Sequence, residues 1–165
     1  KPDIDETPFK DEGPVTYAKR MAKEKVESIS GDIGYDEIAL SADTIVVYED
    51  KILGKPVSTE DAYQMLTQLN GQVHSVVTAY ALLLKAQNSL TVESVCTKVT
   101  FNELPEAFLR NYAESEEPLD KAGSYSIQGD GTFLVNAIEG SYNNVVGLPV
   151  EQLIQDFLKL KVITI

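Results

Sequence analysis

The chain has 165 residues and a formal net charge of −12, with 14 Lys and Arg against 26 Asp and Glu. This length suits one domain, and 43% hydrophobic with 24% charged residues is a globular rather than a disordered composition. The acidity argues against a nucleic-acid polymer as partner, because a phosphate backbone attracts clustered Lys and Arg. It still allows a small phosphorylated ligand, for which a few local cations or a metal suffice.

Cys96 is the single cysteine and His74 the single histidine. An internal disulfide framework and a Cys-rich zinc site are therefore excluded, and Ser-His-Asp, Cys-His or His-based zinc chemistry is disfavoured. One cysteine fits a reducing compartment, and we expect a cytoplasmic protein. The most apolar stretch, residues 73–84, is too short and too polar to span a bilayer, so no membrane is expected.

The first half of the chain alternates between loop, helix and strand patterns. Residues before Pro14 carry prolines and acids and predict a loop, and apolar residues then recur at helical spacing as far as Ile29. Residues 37–48 are β-branched and apolar, which predicts a buried strand. A turn at Glu49 and Asp50 leads into a short hairpin partner at 51–53.

The second half continues the alternation. Ser58 stands three residues before Asp61, a capping-box pattern that predicts a helix ending near Gly71. The remaining predictions are a strand pair at 73–84 and 90–101, a helix at 105–113, a Gly-rich loop at 120–130, a strand at 132–138, a loop at 140–147 and a helix that opens at Pro149. Alternation without repeats or a linker predicts one α/β domain over residues 1–165.

Asp43 lies in a strand that otherwise suits the core. A buried carboxylate must be paired, hydrogen-bonded or bound to a cation, because an isolated buried charge is very costly. One interpretation is a metal ligand or general base, and the other is a strand-end acid that caps a neighbouring turn. The local sequence alone leaves both open.

Two lysines have a similar pair of interpretations. Lys55 lies between Gly54 and Pro56, which fix the backbone on both sides of a cation that can hold a phosphate as a point charge. A solvated hairpin lysine is the alternative. Lys25 lies at the apolar edge of the first predicted helix, where a snorkelling surface lysine is the default.

The richest segment is 120–131, with three glycines, Lys121 and Gln128. It can form a pocket wall where backbone N–H groups meet an anion, or a structured connector, and it matches neither a Walker A motif nor G-x-G-x-x-G. The acids Asp3, Asp5 and Glu6 can add a metal ligand or form a solvated face. Carboxylates beside hard cations favour Mg²⁺ or Mn²⁺ and phosphate substrates.

Several stretches together resemble the Maf family of nucleoside triphosphate pyrophosphatases. They are Ser-Ala-Asp-Thr at 41–44, Leu-Gly-Lys-Pro at 53–56, residues 62–66 with 69–78, Asp-Lys-Ala-Gly-Ser-Tyr-Ser-Ile-Gln-Gly at 120–129, and residues 139–142 with 144–149. The match runs in order from Asp3 to about Leu158. The resemblance implies a mixed twisted sheet flanked by helices, two-lobed like the inosine triphosphate pyrophosphatases, and commonly a homodimer.

The resemblance also implies an activity. It implies hydrolysis of a nucleoside triphosphate between the α and β phosphates with Mg²⁺ or Mn²⁺. The pair Asp43-Thr44 and the run Ile127-Gln128-Gly129 resemble the branch that acts on dTTP and UTP, rather than the branch that acts on 7-methyl-GTP. A purine-directed pyrophosphatase, a nucleotide-binding regulator of septum formation without turnover, and a structural domain remain the alternatives.

The roles of individual residues follow from the same resemblance. Asp43 would be the general base or a metal-linked carboxylate, and Glu6 would assist at the metal. Thr44 and Gln128 would help to choose the base. The cations that would hold the triphosphate are Lys25, Lys55 and Lys121.

One family feature has no counterpart in the sequence. Family members normally begin with a strand that runs into a Ser-x-Ser-Pro-Arg-Arg turn, and nothing in residues 1–165 matches it. We therefore expect these residues alone to lack two phosphate-binding arginines and one strand, and to be weak or inactive. Robust pyrophosphate release from UTP by residues 1–165 would contradict this expectation.

Overall fold

A computed structural model of the chain describes residues 4–115 and 117–163. In this part of the chain one sheet has the strand order β2-β1-β3-β4-β5, and five α-helices pack around it. The strands are β1 Ile38–Tyr48, β2 Lys51–Leu53, β3 Val73–Leu84, β4 Ser89–Phe101 and β5 Val135–Glu139. The helices are α1 Pro14–Ser28, α2 Thr59–Leu69, α3 Glu106–Ala113, α4 Tyr142–Val146 and α5 Val150–Lys159.

The α/β class with a helix-flanked sheet is confirmed, but the expected mixture of parallel and antiparallel pairs is not found. Every strand pairing in the described residues is antiparallel. The cause is that β2 and β3, which α2 connects, run in the same direction but have β1 between them. The predicted hairpins β1–β2 and β3–β4 are confirmed, the first with positive φ at Glu49 and Asp50.

The core lies on both faces of the sheet, because alternate side chains of β3 point in opposite directions. Val77, Ala79 and Ala81 pack against α1 on one face. On the other face, Val76 joins a cluster with α2 and α3, and Tyr80 joins a cluster with α5. The sheet is therefore a central layer whose two faces carry separate sets of helices.

The start of α2 follows the predicted capping pattern. Ser58 Oγ accepts a hydrogen bond from the backbone N–H of Asp61 at 3.1 Å. The Asp61 carboxylate in turn accepts from the backbone N–H of Val57 at 2.9 Å. The short β1–β2 hairpin and its following turn are thus tied to the first turn of α2.

Two local predictions were wrong. Residues 132–134 form the end of a 3₁₀ turn, and β5 begins only at Val135, because the Thr132 hydroxyl donates back to the carbonyl of Gly129. The predicted loop at 140–147 contains helix α4, because Ser141 Oγ caps it by accepting from the N–H of Asn144 at 3.0 Å. In both short segments a side-chain hydroxyl forms a hydrogen bond with a nearby backbone group and so stabilises a local turn or helix.

One edge of the sheet positions the site described below. Strand β2 pairs with β1 only from Val46 to Tyr48. Residues 38–45 of β1 pair with β3 on one side, and within residues 4–115 and 117–163 no strand pairs with their other side. Every helix in this part of the chain falls short of the length and apolarity that crossing a bilayer requires.

Candidate active site

A cavity of about 490 Å³ lies at this edge of β1. Its walls come from the N-terminal segment, α1, the β1–β2 hairpin, the segment 120–128 and α4. All seven residues to which the family resemblance gave a role line it: Glu6, Lys25, Asp43, Thr44, Lys55, Lys121 and Gln128. The tertiary structure therefore gathers into one place residues that are as much as 122 positions apart, as from Glu6 to Gln128.

An ion cluster occupies the charged side of the cavity. Lys25, in the last turn of α1, donates a hydrogen bond to Oδ1 of Asp43. Its ammonium also lies 3.3 Å from Oε1 of Glu6. One cation is thus shared by two carboxylates, and Asp43 is paired rather than isolated in its core strand.

Burial and charge act in opposite directions on this pair. Burial is the largest effect on Asp43 and raises the pKa of its carboxyl above the ordinary value, although Lys25 lowers it. Glu6 adds to the rise, and Lys55 opposes it. Burial also disfavours charge on Lys25, but Asp43 and Glu6 outweigh it, so the pKa of Lys25 is raised. Asp43 is therefore a stronger proton acceptor than an ordinary aspartate.

Contacts with α1 hold Glu6 in place. The Tyr17 hydroxyl donates to the backbone carbonyl of Glu6 at 2.7 Å. Arg20 donates to the carbonyl of Thr7 at 3.0 Å and forms two hydrogen bonds with the Glu12 carboxylate. The Arg20 guanidinium also stacks on the Phe9 ring at 3.9 Å. The segment before α1 is thus fastened to that helix although it has no regular secondary structure.

Lys55 and Lys121, the two remaining lysines of the cavity, differ in their pairing. Lys121 Nζ lies 2.6 Å from Oδ1 of Asp120. Lys55 is exposed at the cavity rim, and no ion pair of Lys55 occurs among the described residues. Lys55 therefore has the fewest competitors for an incoming anion.

Gly123 brings these two lysines to the same wall. Its backbone N–H donates to the carbonyl of Gly54 at 3.0 Å, which ties the segment after Lys121 to the hairpin that carries Lys55. Its φ is +67°, and an added Cβ would lie within 2.9 Å of Val46. The wall thus requires a residue without a side chain at this position.

The other side of the cavity is more apolar. Thr44 lines the cavity, as do Val46, Val76, Tyr125 and Val145, which belong to one hydrophobic cluster. Its hydroxyl is 2.8 Å from the hydroxyl of Thr78, behind the cavity wall. A planar, weakly polar group fits this side better than a phosphate does.

Gln128 lies at the exposed rim of the same side. Its side-chain N–H donates to the Tyr142 hydroxyl of α4 at 3.2 Å. This contact links the segment 120–128 to α4. The prediction that Gln128 belongs to the site by position therefore agrees with the geometry, while its role stays a prediction.

His74 lies behind the wall and does not line the cavity. Its Nε2 is 2.8 Å from the Tyr125 hydroxyl, and its ring packs edge-on against Phe101 and Tyr125. Burial lowers the pKa of His74 to about 4, and Nδ1 has no hydrogen-bond partner among the described residues. His74 is therefore a buried structural residue.

The acids near the cavity bear on the expected metal. No group of three or more His, Cys, Asp or Glu that could enclose a metal ion occurs among the described residues. Glu6 and Asp43 are two carboxylates on one side of the cavity, a donor set that suits Mg²⁺ held jointly with substrate phosphates. The Asp5 carboxylate instead accepts from the N–H of Thr7, and Asp3 lies outside the described residues.

Sequence reasoning gave no individual role to three residues that support the site. Tyr17 holds the backbone of Glu6, and Thr78 and Asn144 lie behind Thr44. Thr78 and Asn144 are fully buried. A fully buried polar side chain is a signal of such a network, but burial is visible only once the sheet and α4 are packed together.

Fold and cavity together define an α/β protein whose cavity has two carboxylates that share a lysine on one side and an apolar wall on the other. The chain belongs to the family described as Maf-like protein, whose model matches residues 1–160. The recognition made from the sequence motifs is thereby confirmed.

Relatives with this likeness share one name. A dTTP/UTP pyrophosphatase of Clostridium novyi is 43% identical over 94% of this chain and 82% of its own length. A dTTP/UTP pyrophosphatase of Desulfotalea psychrophila is 44% identical over 98% of this chain and 83% of its own length. One of Geobacter sulfurreducens is 39% identical over 96% of this chain and 82% of its own length.

Proposed function

We propose that this protein is a nucleoside triphosphate pyrophosphatase that hydrolyses dTTP and UTP to the monophosphate and pyrophosphate. The observation that carries the proposal is that all seven candidate residues line one cavity with an acid–cation side and an apolar side. The names of relatives about 40% identical over most of the chain support the same substrates. Residues 1–165 are, in this proposal, one pyrophosphatase domain.

Asp43 is the proposed general base. Water attacks the α-phosphorus, its proton passes to the Asp43 carboxylate, a new P–O bond forms, and the bond to the bridging α–β oxygen breaks. The raised pKa of Asp43 suits this role, because a base closer in pKa to neutral accepts a proton more effectively. Lys25 orients the carboxylate through its hydrogen bond.

Lys55 and Lys121 are the proposed contacts of the triphosphate. Charge builds up on the leaving pyrophosphate as the anhydride bond breaks, and fixed cations beside it lower the barrier. Lys121 must break its ion pair with Asp120 to bind the phosphate. Lys55 has no ion pair to break among the described residues. The local cations explain how a chain of net charge −12 can bind a polyanion.

A divalent cation, Mg²⁺ or Mn²⁺, belongs to this proposal. Glu6 and Asp43 would hold it together with the phosphates, and it would supply further neutralisation of phosphate charge. A homodimeric state remains a prediction from the family resemblance, and a cytoplasmic location remains a prediction from the single cysteine.

Pyrophosphate release by the full-length protein across nucleoside triphosphates tests the proposal, with Asp43→Asn measured beside the wild type. The expected result is turnover of UTP and dTTP and a loss of about 10²–10⁴-fold in kcat/KM in Asp43→Asn. Equal turnover by the two proteins would remove Asp43 from the mechanism. Preference for purine nucleotides would favour the purine-directed alternative, and binding without turnover would favour the regulatory one.

A further inference from the structure

A chain of hydrogen bonds runs from the cavity into the core through Thr44, Thr78 and Asn144. The two threonine hydroxyls are 2.8 Å apart, and they belong to directly paired positions of β1 and β3. The Thr78 hydroxyl also lies 2.8 Å from the backbone carbonyl of Asn144 in α4. The direction of each hydrogen bond in this chain can be worked out from its end.

Asn144 has only one possible amide orientation. Its Nδ2 lies 3.0 Å from the carbonyl of Val76 and 2.9 Å from the hydroxyl of Thr97, and a carbonyl can only accept. Its Oδ1 lies 3.1 Å from the backbone N–H of Thr78, which can only donate. The side chain is fully buried and all three of its contacts are satisfied, so α4 is held rigidly behind the cavity wall.

The proton of each threonine follows from this. The backbone carbonyl of Asn144 can only accept, so the Thr78 hydroxyl donates its single proton to that carbonyl. The 2.8 Å contact between the two hydroxyls then needs the proton of Thr44. Thr44 therefore donates inward to Thr78, and its oxygen offers only lone pairs to the cavity.

An oxygen that can only accept selects among the parts of a nucleotide. Phosphate oxygens are acceptors and gain nothing from it. The apolar side chains beside Thr44 suit a base rather than a phosphate. Uracil and thymine both carry an imide N3–H, which can donate, whereas cytosine has a lone pair at N3.

We infer that Thr44 accepts the imide N3–H of the bound base, and that Thr78 and Asn144 are positioning residues that hold the Thr44 proton away from the cavity. This inference rests on the proposed function and deepens it. One contact of this kind reads a feature that uracil and thymine share. The contact does not involve C5 of the base or the sugar, where UTP and dTTP differ. This is expected of a site that takes both nucleotides.

The test compares kcat/KM for UTP, CTP and N3-methyl-UTP in the wild type and in Thr44→Val, Thr44→Ser, Thr78→Val and Thr78→Ser. The wild type should prefer UTP to both other nucleotides by at least about tenfold, because neither carries an N–H at position 3 of the base. Thr44→Val and Thr78→Val should lower the UTP/CTP ratio by about tenfold. The two serine variants keep the hydroxyl and should keep the ratio.

A merely structural role of Thr78 predicts something else. Thr78→Val would then lower the melting temperature and slow UTP and CTP equally, with an unchanged ratio. That result, or a wild type that accepts N3-methyl-UTP as readily as UTP, would overturn the inference. If Thr78→Val does not fold, Thr44→Val decides alone, since Thr44 is only half-buried and lines the cavity.

The inference and the proposed function can fail separately. Turnover of UTP with an unchanged ratio in the valine variants contradicts the inference and leaves the function standing. If the wild type turns over no nucleotide, the function fails, and calorimetric binding of UTP against CTP then takes the place of turnover. Equal affinity for the two nucleotides, or no binding of either, overturns the inference in that case.

Discussion

Asp43 and Thr44 are neighbours on β1 whose side chains point to opposite faces of the sheet, yet both line the same cavity. Asp43 reaches Lys25 of α1 on one face, and Thr44 reaches Thr78 and the region of α4 on the other. This is possible because the cavity lies at the edge of β1 that no described strand covers. In the proposed function, two adjacent residues thus serve the phosphates and the base.

The first prediction concerns two variants that move the pH profile in opposite directions. The acid limb of kcat/KM should lie above the ordinary range of an aspartate, because burial raises the pKa of Asp43. Lys25→Met removes the hydrogen bond and charge that lower this pKa, so the limb should move to higher pH. Glu6→Gln removes a charge that raises it, so the limb should move to lower pH.

Steady-state kinetics from acid to neutral pH measures both shifts. Thermal melts at each pH separate loss of activity from loss of fold. Shifts of the two variants in the same direction would contradict the assignment of the acid limb to Asp43.

The second prediction concerns phosphate binding at the hairpin. Lys55→Ala should raise KM for UTP by about tenfold, since a charge-assisted contact with a phosphate is lost. Lys51→Ala is the matched control, because Lys51 is an exposed lysine of the same hairpin that does not line the cavity. Equal effects of the two substitutions would mean that Lys55 acts only through the general charge of the protein.

The third prediction concerns the glycine of the cavity wall. Gly123→Ala should lower the free energy of unfolding by about 1–3 kcal/mol, because the new Cβ meets Val46 and the φ of +67° is strained for alanine. Gly31→Ala is the control, since nothing lies within 4 Å of its Cβ position, and a change within about 0.5 kcal/mol is expected. Urea denaturation measures both, and equal stabilities would show that the wall adapts.

The fourth prediction concerns acid stability and His74. Folded His74 has a pKa of about 4, below the unfolded value of 6.5, so between these pH values the unfolded chain binds the extra proton. The free energy of unfolding should therefore fall by about 3 kcal/mol through this residue as the pH drops from 6.5 to 4. His74→Gln should lack this part of the decrease.

Denaturation curves at several pH values measure the difference between wild type and His74→Gln. Using the difference removes the contribution of the carboxylates, which both proteins share. Parallel curves for the two proteins would contradict the burial of neutral His74.

Periodicity predicted the regular elements correctly where they are long. Helix α1, strand β1 and the pair β3–β4 have enough residues for a pattern of alternate or helical spacing to be unambiguous. Helix α4 has five residues and begins at a serine cap, so its pattern was too short to read. The antiparallel pairing throughout depends on β1 lying between β2 and β3, which no local pattern encodes.

The sequence by itself determined the acidic α/β character, the family motifs and the seven candidate residues. Only the tertiary structure decided how they pair: Lys25 with Asp43 and Glu6, Lys121 with Asp120, and Thr44 with Thr78. The sequence states which residues are present. The role of a charged group or a hydroxyl depends on the atoms that lie within about 3 Å of it, and only the tertiary structure brings those atoms together. For Asp43 that neighbour is a lysine 18 positions away, which arrives only when α1 packs against β1.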